Sequence, residues 1–340
     1  MTSATKPKKI LDDLPDQARE KLRKRSQPKW TSPMLATLVD EYFSDPDWIY
    51  ERKLDGERCL AFRKGSSVHL KSRNKQDLNA TYPEVVDALR EQSATDFIID
   101  GEMVAFRGGV TSFERLQGRM KIDDEQKARK SGIAVYYYVF DIVHFAGHDV
   151  SKVPLRHRKG LLRKALSFSD PLRFTTHRNE DGEKFLKEAC EKGWEGLIAK
   201  DAAGEYVHSR SRKWLKFKCV NRQEFVIGGY TDPRGERIGF GALLIGYYRE
   251  GELRFAGKVG TGYDDETLES LGGRLESLER KTPPFDDESL PSKGVHWVTP
   301  KLVGEVGFTE WTADGKLRHP KFLGLRRDKK PKNVKRERPA

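Results

Sequence analysis

Residues 48–63 read Trp48-Ile49-Tyr50-Glu51-Arg52-Lys53-Leu54-Asp55-Gly56-Glu57-Arg58-Cys59-Leu60-Ala61-Phe62-Arg63. Two β-prone runs, Trp48–Arg52 and Cys59–Arg63, flank a Lys-x-Asp-Gly turn. One lysine therefore stands at the mouth of a strand, beside a carboxylate, a glycine and an arginine. Such an amine is a nucleophile only when neutral. From a pKa of about 10.4, deprotonation at pH 7 costs roughly 4.6 kcal/mol, which nearby cations or a metal ion must supply. Taken alone, four residues read as a surface turn, so the weight falls on what surrounds them.

Outward from this stretch, residues 30–220 alternate strand-like and helix-like pieces. Val68–Ser72 and Phe97–Phe106 read as strands, the latter interrupted by Asp100 and Glu102. Pro83–Glu91 has helical spacing, Ser112 is placed to cap a helix running to Met120, and Gly193 follows a helix over Gly182–Lys192. Val135–Val143 is an aromatic and β-branched run, as in a strand covered on both faces. Gly196–Lys200 and Trp214–Cys219 look like further strands. After Cys219 the chain becomes Gly-rich, with short strands over Glu224–Tyr230, Ala242–Arg249 and Glu252–Val259. Glu250-Gly251 suggests a tight hairpin. A helix over Asp264–Lys281 and strands near 295–311 follow. Short strands with one helix suit a small five-stranded barrel. The expected fold is α+β: antiparallel sheets with helices, then an OB-fold barrel, with the boundary near Val220–Arg222.

The 340 residues suit about two domains and carry a formal net charge of +12. Residues 1–29 hold nine Lys/Arg against four Asp/Glu, residues 326–340 hold eight against two, and the body between is nearly balanced. Two basic ends fit contact with phosphate backbones or, equally, solvated chain. Residues 10–26 read as one short charged helix, and Lys329–Ala340 as too polar to pack. Cys59, Cys190 and Cys219 form no CxxC pair, so neither a disulfide framework nor a structural zinc site is expected. Gly147 between His144 and His148 argues against a metal pair on a helix there. No apolar run approaches the ~20 residues needed to span a bilayer, and the N-terminus has no apolar signal region. A cytoplasmic protein, nucleoid-associated if bacterial, is expected, with no membrane partner.

Six further strings follow Lys53 in order: Ser72-Arg73-Asn74, Asp100-Gly101-Glu102, Phe140-Asp141, Glu195-Gly196 with Lys200, Lys216-Phe217-Lys218, and Arg326-Arg327-Asp328-Lys329. With them the sequence resembles the covalent nucleotidyltransferases: ATP-dependent DNA ligases, with RNA ligases and capping enzymes as cousins. FIIDGEMVAF (97–106), WEGLIAK (194–200), RKWLKFKC (212–219) and EVGFTEWTADGKLRHPKFLGLRRDK (305–329) are similar to the ligase module of bacterial ligase D and to stand-alone ligase C enzymes. The resemblance covers about residues 30–330. It implies a basic arm over 1–29, an adenylation domain over 30–220, an OB-fold over 221–328 and a basic tail over 329–340. A hinge near 220–222 is expected between the two domains.

The resemblance also implies roles. Lys53 would take AMP from ATP, pass it to the 5′-phosphate of a DNA nick, and the 3′-hydroxyl would then displace it. Phe140 would stack on adenine, the Glu51 main chain would read the adenine edge, Glu102 would bind the ribose hydroxyl, and Arg58 would face the nucleotide. Arg73 would hold the nick 5′-phosphate. Lys216 and Lys218, two apart on a strand and so on one face, would reach the α-phosphate. Asp55 and Glu195 would be the Mg²⁺ or Mn²⁺ ligands. Arg326 and Lys329 would orient the leaving pyrophosphate. Each has a plainer reading: Phe140 as core, Asp100 as a turn residue, Asp141 as a structural acceptor, Lys216 and Lys218 as a solvated edge.

The expected substrate is nicked double-stranded DNA, acted on by a monomer, with room for a Ku-like end-binding protein and a separate polymerase and nuclease. With 29 residues before Trp30 in this sequence, no helical DNA-binding domain is expected ahead of the core, and the basic ends are expected to compensate. The competing expectations are an RNA ligase or GTP-using capping enzyme, and a non-catalytic scaffold that binds DNA ends.

Overall fold

The computed structural model describes residues 7–337, apart from 40, 220, 234, 236, 237, 288, 309 and 313. The chain divides between Cys219 and Val220 into two compact units.

In the first unit the Lys53 stretch enters two sheets. Glu57–Lys64 lies between Ser67–Ser72 and Asp96–Val104 in a seven-stranded sheet, with Tyr136–Phe145 next in line. Trp48–Arg52 belongs to a five-stranded sheet, between His177–Asn179 and Gly196–Asp201, with Arg210–Lys218 and then Leu35–Leu38 beyond. Side chains alternate across these strands. Cys59 and Ala61 join a core with helices Pro83–Arg90, Phe113–Met120 and Leu155–Ala165, while Leu60 and Phe62 join Ile98, Phe140 and Trp214 from both sheets. On the five-stranded sheet, Tyr50, Leu197, Ala199 and Phe217 pack with Phe185 and Leu186 of the helix Gly182–Glu191. Both sheets are thus covered on both faces, and each large apolar side chain so buried stabilises by roughly 1.5–3 kcal/mol. Ser112 caps its helix by accepting from the Arg115 N–H at 3.2 Å.

The second unit is a curled antiparallel sheet. Asn221–Thr231 lies between Leu243–Arg249 and the long strand Val295–Phe308, Glu252–Val259 flanks one side, and Lys321–Leu325 pairs with Val295–Phe308. Register shifts at Ile227/Gly229, Ile245/Gly246 and Glu305/Val306 let the strands bend. Glu250 and Gly251 both take positive φ, 56° and 90°, as a two-residue turn that matches strand twist requires. Leu268, Leu271 and Leu275 of the helix Asp265–Glu276 enter the core. That helix is shorter than its periodicity suggests, because Glu279–Arg280 leaves it to pair with the long strand.

Three expectations are corrected. The N-terminal stretch is neither one helix nor a free arm. It forms Pro7–Asp12 and Asp16–Arg19, then the strand Arg23–Lys24 beside His148–Asp149. Pro15 interrupts the helix, and Ile10, Leu11, Leu14 and Ala18 are buried in the first unit's core. The C-terminal segment packs as well over its described residues 329–337, residues 338–340 lying outside them. Val334 is 4% exposed in the second unit's core, its carbonyl accepts from the Tyr248 N–H at 2.8 Å, and the Arg336 guanidinium lies 4.2 Å from the centre of the Trp311 ring. One apolar side chain and one cation over an aromatic ring hold a segment whose composition reads as solvated. Finally, Cys190 and Cys219 form a disulfide, with Cα atoms 5.2 Å apart. The helix Gly182–Glu191 lies on the sheet that ends at Lys218, which brings together two cysteines 29 residues apart. Cys59 is buried.

Candidate active site

A cavity of about 200 Å³ opens in the first unit. Lys53 lies at its wall, just beyond the strand Trp48–Arg52, and its N–H donates to the Gly196 carbonyl at 2.9 Å. Gly196 takes φ +143°, and a Cβ there would run into the Phe217 carbonyl, so the close approach of these strands requires glycine. This sets Glu195, one residue earlier, against Lys53: the ammonium donates to Glu195 Oε2. Burial alone would lower the Lys53 pKa, but Glu195, with Asp55 and Glu102, holds it above the ordinary lysine value. In this state the amine is an ion-paired ammonium.

Asp100 and Glu102 face the inter-sheet space with Ile98 from alternate positions of Asp96–Val104. Asp100 is mid-strand rather than in a turn. It is fully buried and accepts from Arg58 through Nε at 2.5 Å and Nη2 at 2.6 Å, and from the Tyr206 hydroxyl at 2.6 Å. Arg58 also donates to the Met34 carbonyl at 3.0 Å and stacks 4.6 Å from the centre of Phe140. Burial opposes the Arg58 charge, and Asp100 more than restores it. Glu102 stands opposite Arg58 in register. Burial pushes its carboxyl up to about 8, against the pull of Arg58 and Lys53.

Glu51 is 2% exposed and lies between two buried ammonium groups, Lys159 at 2.5 Å and Lys200 at 2.6 Å. Burial raises its pKa, but the two lysines outweigh that and hold it ionised. Lys200 is pushed down to about 8 by burial, despite Glu51. Its ammonium lies 4.2 Å from the centre of Phe140 and 4.1 Å from that of Trp214. Phe140 is edge-on to Trp214, 9% exposed, and both a core residue and part of the cavity wall. Asp141 is a structural acceptor, gripped by Arg158 through Nε and Nη2, both at 2.8 Å.

Arg73 and Lys216 also line the cavity. The Ser72 hydroxyl accepts from the Asn74 N–H at 3.2 Å and the Gln76 N–H at 3.1 Å, shaping the turn that carries Arg73. Lys218 lies on the same strand as Lys216, paired with Gly196, and its carbonyl accepts from the Tyr42 hydroxyl at 2.9 Å. Arg326 and Lys329 lie in the second unit. Arg326 pairs with Asp328 at 2.9 Å, Glu305 at 3.2 Å and Glu224 at 3.6 Å, and Lys329 pairs with Glu224 at 3.0 Å. Lys159, Arg158 and Trp214 escaped the sequence reading. Lys159 is 108 residues from its partner Glu51, and no local spacing signals such a pair.

Asp55 and Glu195 offer hard oxygen donors, but among the described residues no group of three or more His, Cys, Asp or Glu is placed to hold a metal. Among the described residues no helix is long and apolar enough to cross a membrane.

A lysine at the wall of a cavity, with an acid, an aromatic and basic side chains around it, and an OB-fold in the second unit, are the features of a nucleotidyltransferase. Residues 33–218 match the ATP dependent DNA ligase domain, and residues 236–329 match the ATP dependent DNA ligase C terminal region. The chain belongs to the ATP-dependent DNA ligases. It is 36% identical over 325 residues to the multifunctional non-homologous end joining protein LigD of Pseudomonas aeruginosa, covering 93% of this chain and 38% of that protein. It is 32% identical over 323 residues to the LigD of Mycolicibacterium smegmatis, covering 93% and 41%. The solved structure of mycobacterial DNA ligase D complexed with ATP and MES matches with a TM-score of 0.67 and 34% identity, covering 90% of this chain and 98% of that one. The chain spans about two-fifths of the length of these curated relatives.

Proposed function

We propose that the chain seals 5′-phosphate/3′-hydroxyl nicks in double-stranded DNA, using ATP, in the repair of broken ends. The Lys53 amine attacks the α-phosphorus of ATP. An N–P bond forms, the bond to the β-phosphate oxygen breaks, and pyrophosphate leaves. The 5′-phosphate oxygen of the nick then takes the AMP, releasing Lys53. The 3′-hydroxyl attacks the activated phosphorus, closes the phosphodiester and releases AMP. Positioning and charge neutralisation supply most of the catalysis.

Phe140 stacks on the adenine, the Glu51 main chain reads its edge, and Glu102 accepts from the ribose hydroxyl. Arg58, anchored on Asp100, keeps Phe140 in place and faces the nucleotide. Lys216 and Lys218 neutralise the α-phosphate, Arg73 holds the nick 5′-phosphate, and Arg326 and Lys329 orient the departing pyrophosphate. Asp55 and Glu195 would hold Mg²⁺ or Mn²⁺, which supplies charge to the phosphates when bound. Glu195 so engaged would let go of Lys53, and the ammonium would lose the carboxylate that chiefly keeps it protonated.

The observation that carries this reading is Lys53, ion-paired with Glu195 and lining one cavity with Glu102, Phe140 and Lys216. It is tested by incubating the protein with α-³²P-ATP and Mg²⁺, mapping the label, then chasing with nicked duplex. Label on Lys53 that passes to DNA is expected, and none in Lys53→Ala. Labelling from GTP instead would favour the capping reading, and nick sealing that survives Lys53→Ala would refute the mechanism. The end-joining context rests on relatives more than twice the length of this chain. A Ku-like partner is proposed on that basis, and stimulation of end joining by added Ku-type protein would test it.

A further inference from the structure

No role in the three steps above falls to Arg52. It ends the strand Trp48–Arg52, immediately before the nucleophile, and lines the same cavity. Its guanidinium stacks 4.4 Å from the centre of the Trp194 ring and 5.7 Å from that of Phe106. Among the described residues, its buried Nε and Nη2 meet no hydrogen-bond acceptor. Three other cations that line the cavity are paired with carboxylates: Lys53 has Glu195, Arg58 has Asp100 and Lys200 has Glu51. Arg52 has rings. Burial accordingly holds its pKa below the ordinary arginine value, with only the Tyr138 phenol acting against that.

Two N–H groups stripped of water, with nothing to accept from them, are unfavourable in a folded protein. The arrangement makes sense when an acceptor arrives with a ligand. Nε and Nη2 form one edge of the guanidinium, the same edge that Arg58 presents to Asp100, and that edge matches two oxygens of a phosphate. The flat indole fixes the plane of the fork without using an N–H. We propose that Arg52 is a phosphate-binding residue of this site, clamping an oxyanion through Nε and Nη2. This rests on the ligase reading, which brings two phosphate sources to the cavity: the triphosphate of ATP and the backbone of the nicked strand.

The test uses the full chain with Arg52→Met and Arg52→Lys. Three quantities are measured: Tm, the KM for ATP in self-adenylation, and the Kd for a pre-adenylated nicked duplex across a salt series. In Arg52→Met, Tm is expected to hold or rise, because an unpaired desolvated charge is removed. At least one affinity should fall 5-fold or more. A raised KM for ATP assigns the clamp to the triphosphate. A raised Kd, with a salt slope smaller by about one, assigns it to the DNA backbone. Arg52→Lys keeps the charge without the fork and should recover part of the loss. Both affinities within 2-fold of wild type in Arg52→Met overturn the proposal and leave Arg52 as packing on Trp194. Should Tm and affinity fall together in Arg52→Met, Arg52→Lys decides: partial recovery supports the clamp, and none overturns it. A wild-type chain that never takes label removes the ligase reading and this role with it, whereas labelled wild type with unaffected Arg52 variants removes this role alone.

Discussion

Glu102 shows how a single side chain carries the state of the site. It sits opposite Arg58 and within the field of Lys53, yet burial outweighs both and lifts its carboxyl from the ordinary 4.5 to about 8. The folded chain therefore keeps a proton that the unfolded chain gives up. Between pH 4.5 and about 8 the native state binds more protons than the unfolded one, so stability contributed by this group falls as pH rises through that window. For metal-free, nucleotide-free protein, denaturant unfolding across that range should show this decline, and Glu102→Gln should flatten it. An equal slope in the variant would place the proton elsewhere. That Glu102, Phe140 and Lys53 line one cavity is legible in sequence through the short strings that carry the family resemblance. Asp100 is not: its task of holding Arg58 and Tyr206 depends on residues 42 and 106 positions away in the chain.

At the scale of elements, the helix Gly182–Glu191 and the strand Arg210–Lys218 are joined at their ends by Cys190–Cys219. Closing a loop of 29 residues restricts the unfolded chain, which in the loop-entropy account stabilises by roughly 3–4 kcal/mol. Cys190→Ser should lower the unfolding free energy by about that amount in oxidising buffer. In dithiothreitol the variant and wild type should unfold alike. A difference that persists in reductant would mean that packing, not the bond, is at work. Spacing alone gives no hint of this link, because the cysteines meet only once the helix lies across the sheet. The N-terminal helices are hidden for a related reason. Ile10, Leu11 and Leu14 are few and set among charges, and their burial depends on a surface built from residues far along the chain.

For the molecule as a whole, the proposed roles fall on two units, with Arg326 and Lys329 in the second. Both are already ion-paired there, to Glu224, Glu305 and Asp328. If they serve the pyrophosphate, they serve only the first step. Arg326→Ala with Lys329→Ala should then slow self-adenylation by about 10²-fold, while sealing of a pre-adenylated nick is largely kept. Equal loss of both steps would assign the pair to folding of the second unit. Truncation is a poorer probe of this end of the chain. Removing residues 331–340 takes away Val334 and its bond to Tyr248, so lost DNA affinity would mix charge with unfolding. Composition marks this end as basic but cannot tell a docked segment from a loose one, because one buried valine decides it.

The pairing of Lys53 with Glu195 has a consequence outside the reaction cycle. A protonated amine does not add to aldehydes or acyl donors, which are common in metabolising cells. Under the proposed mechanism, the resting protein thus holds its nucleophile as an ammonium, chemically silent toward such compounds until its own substrates arrive.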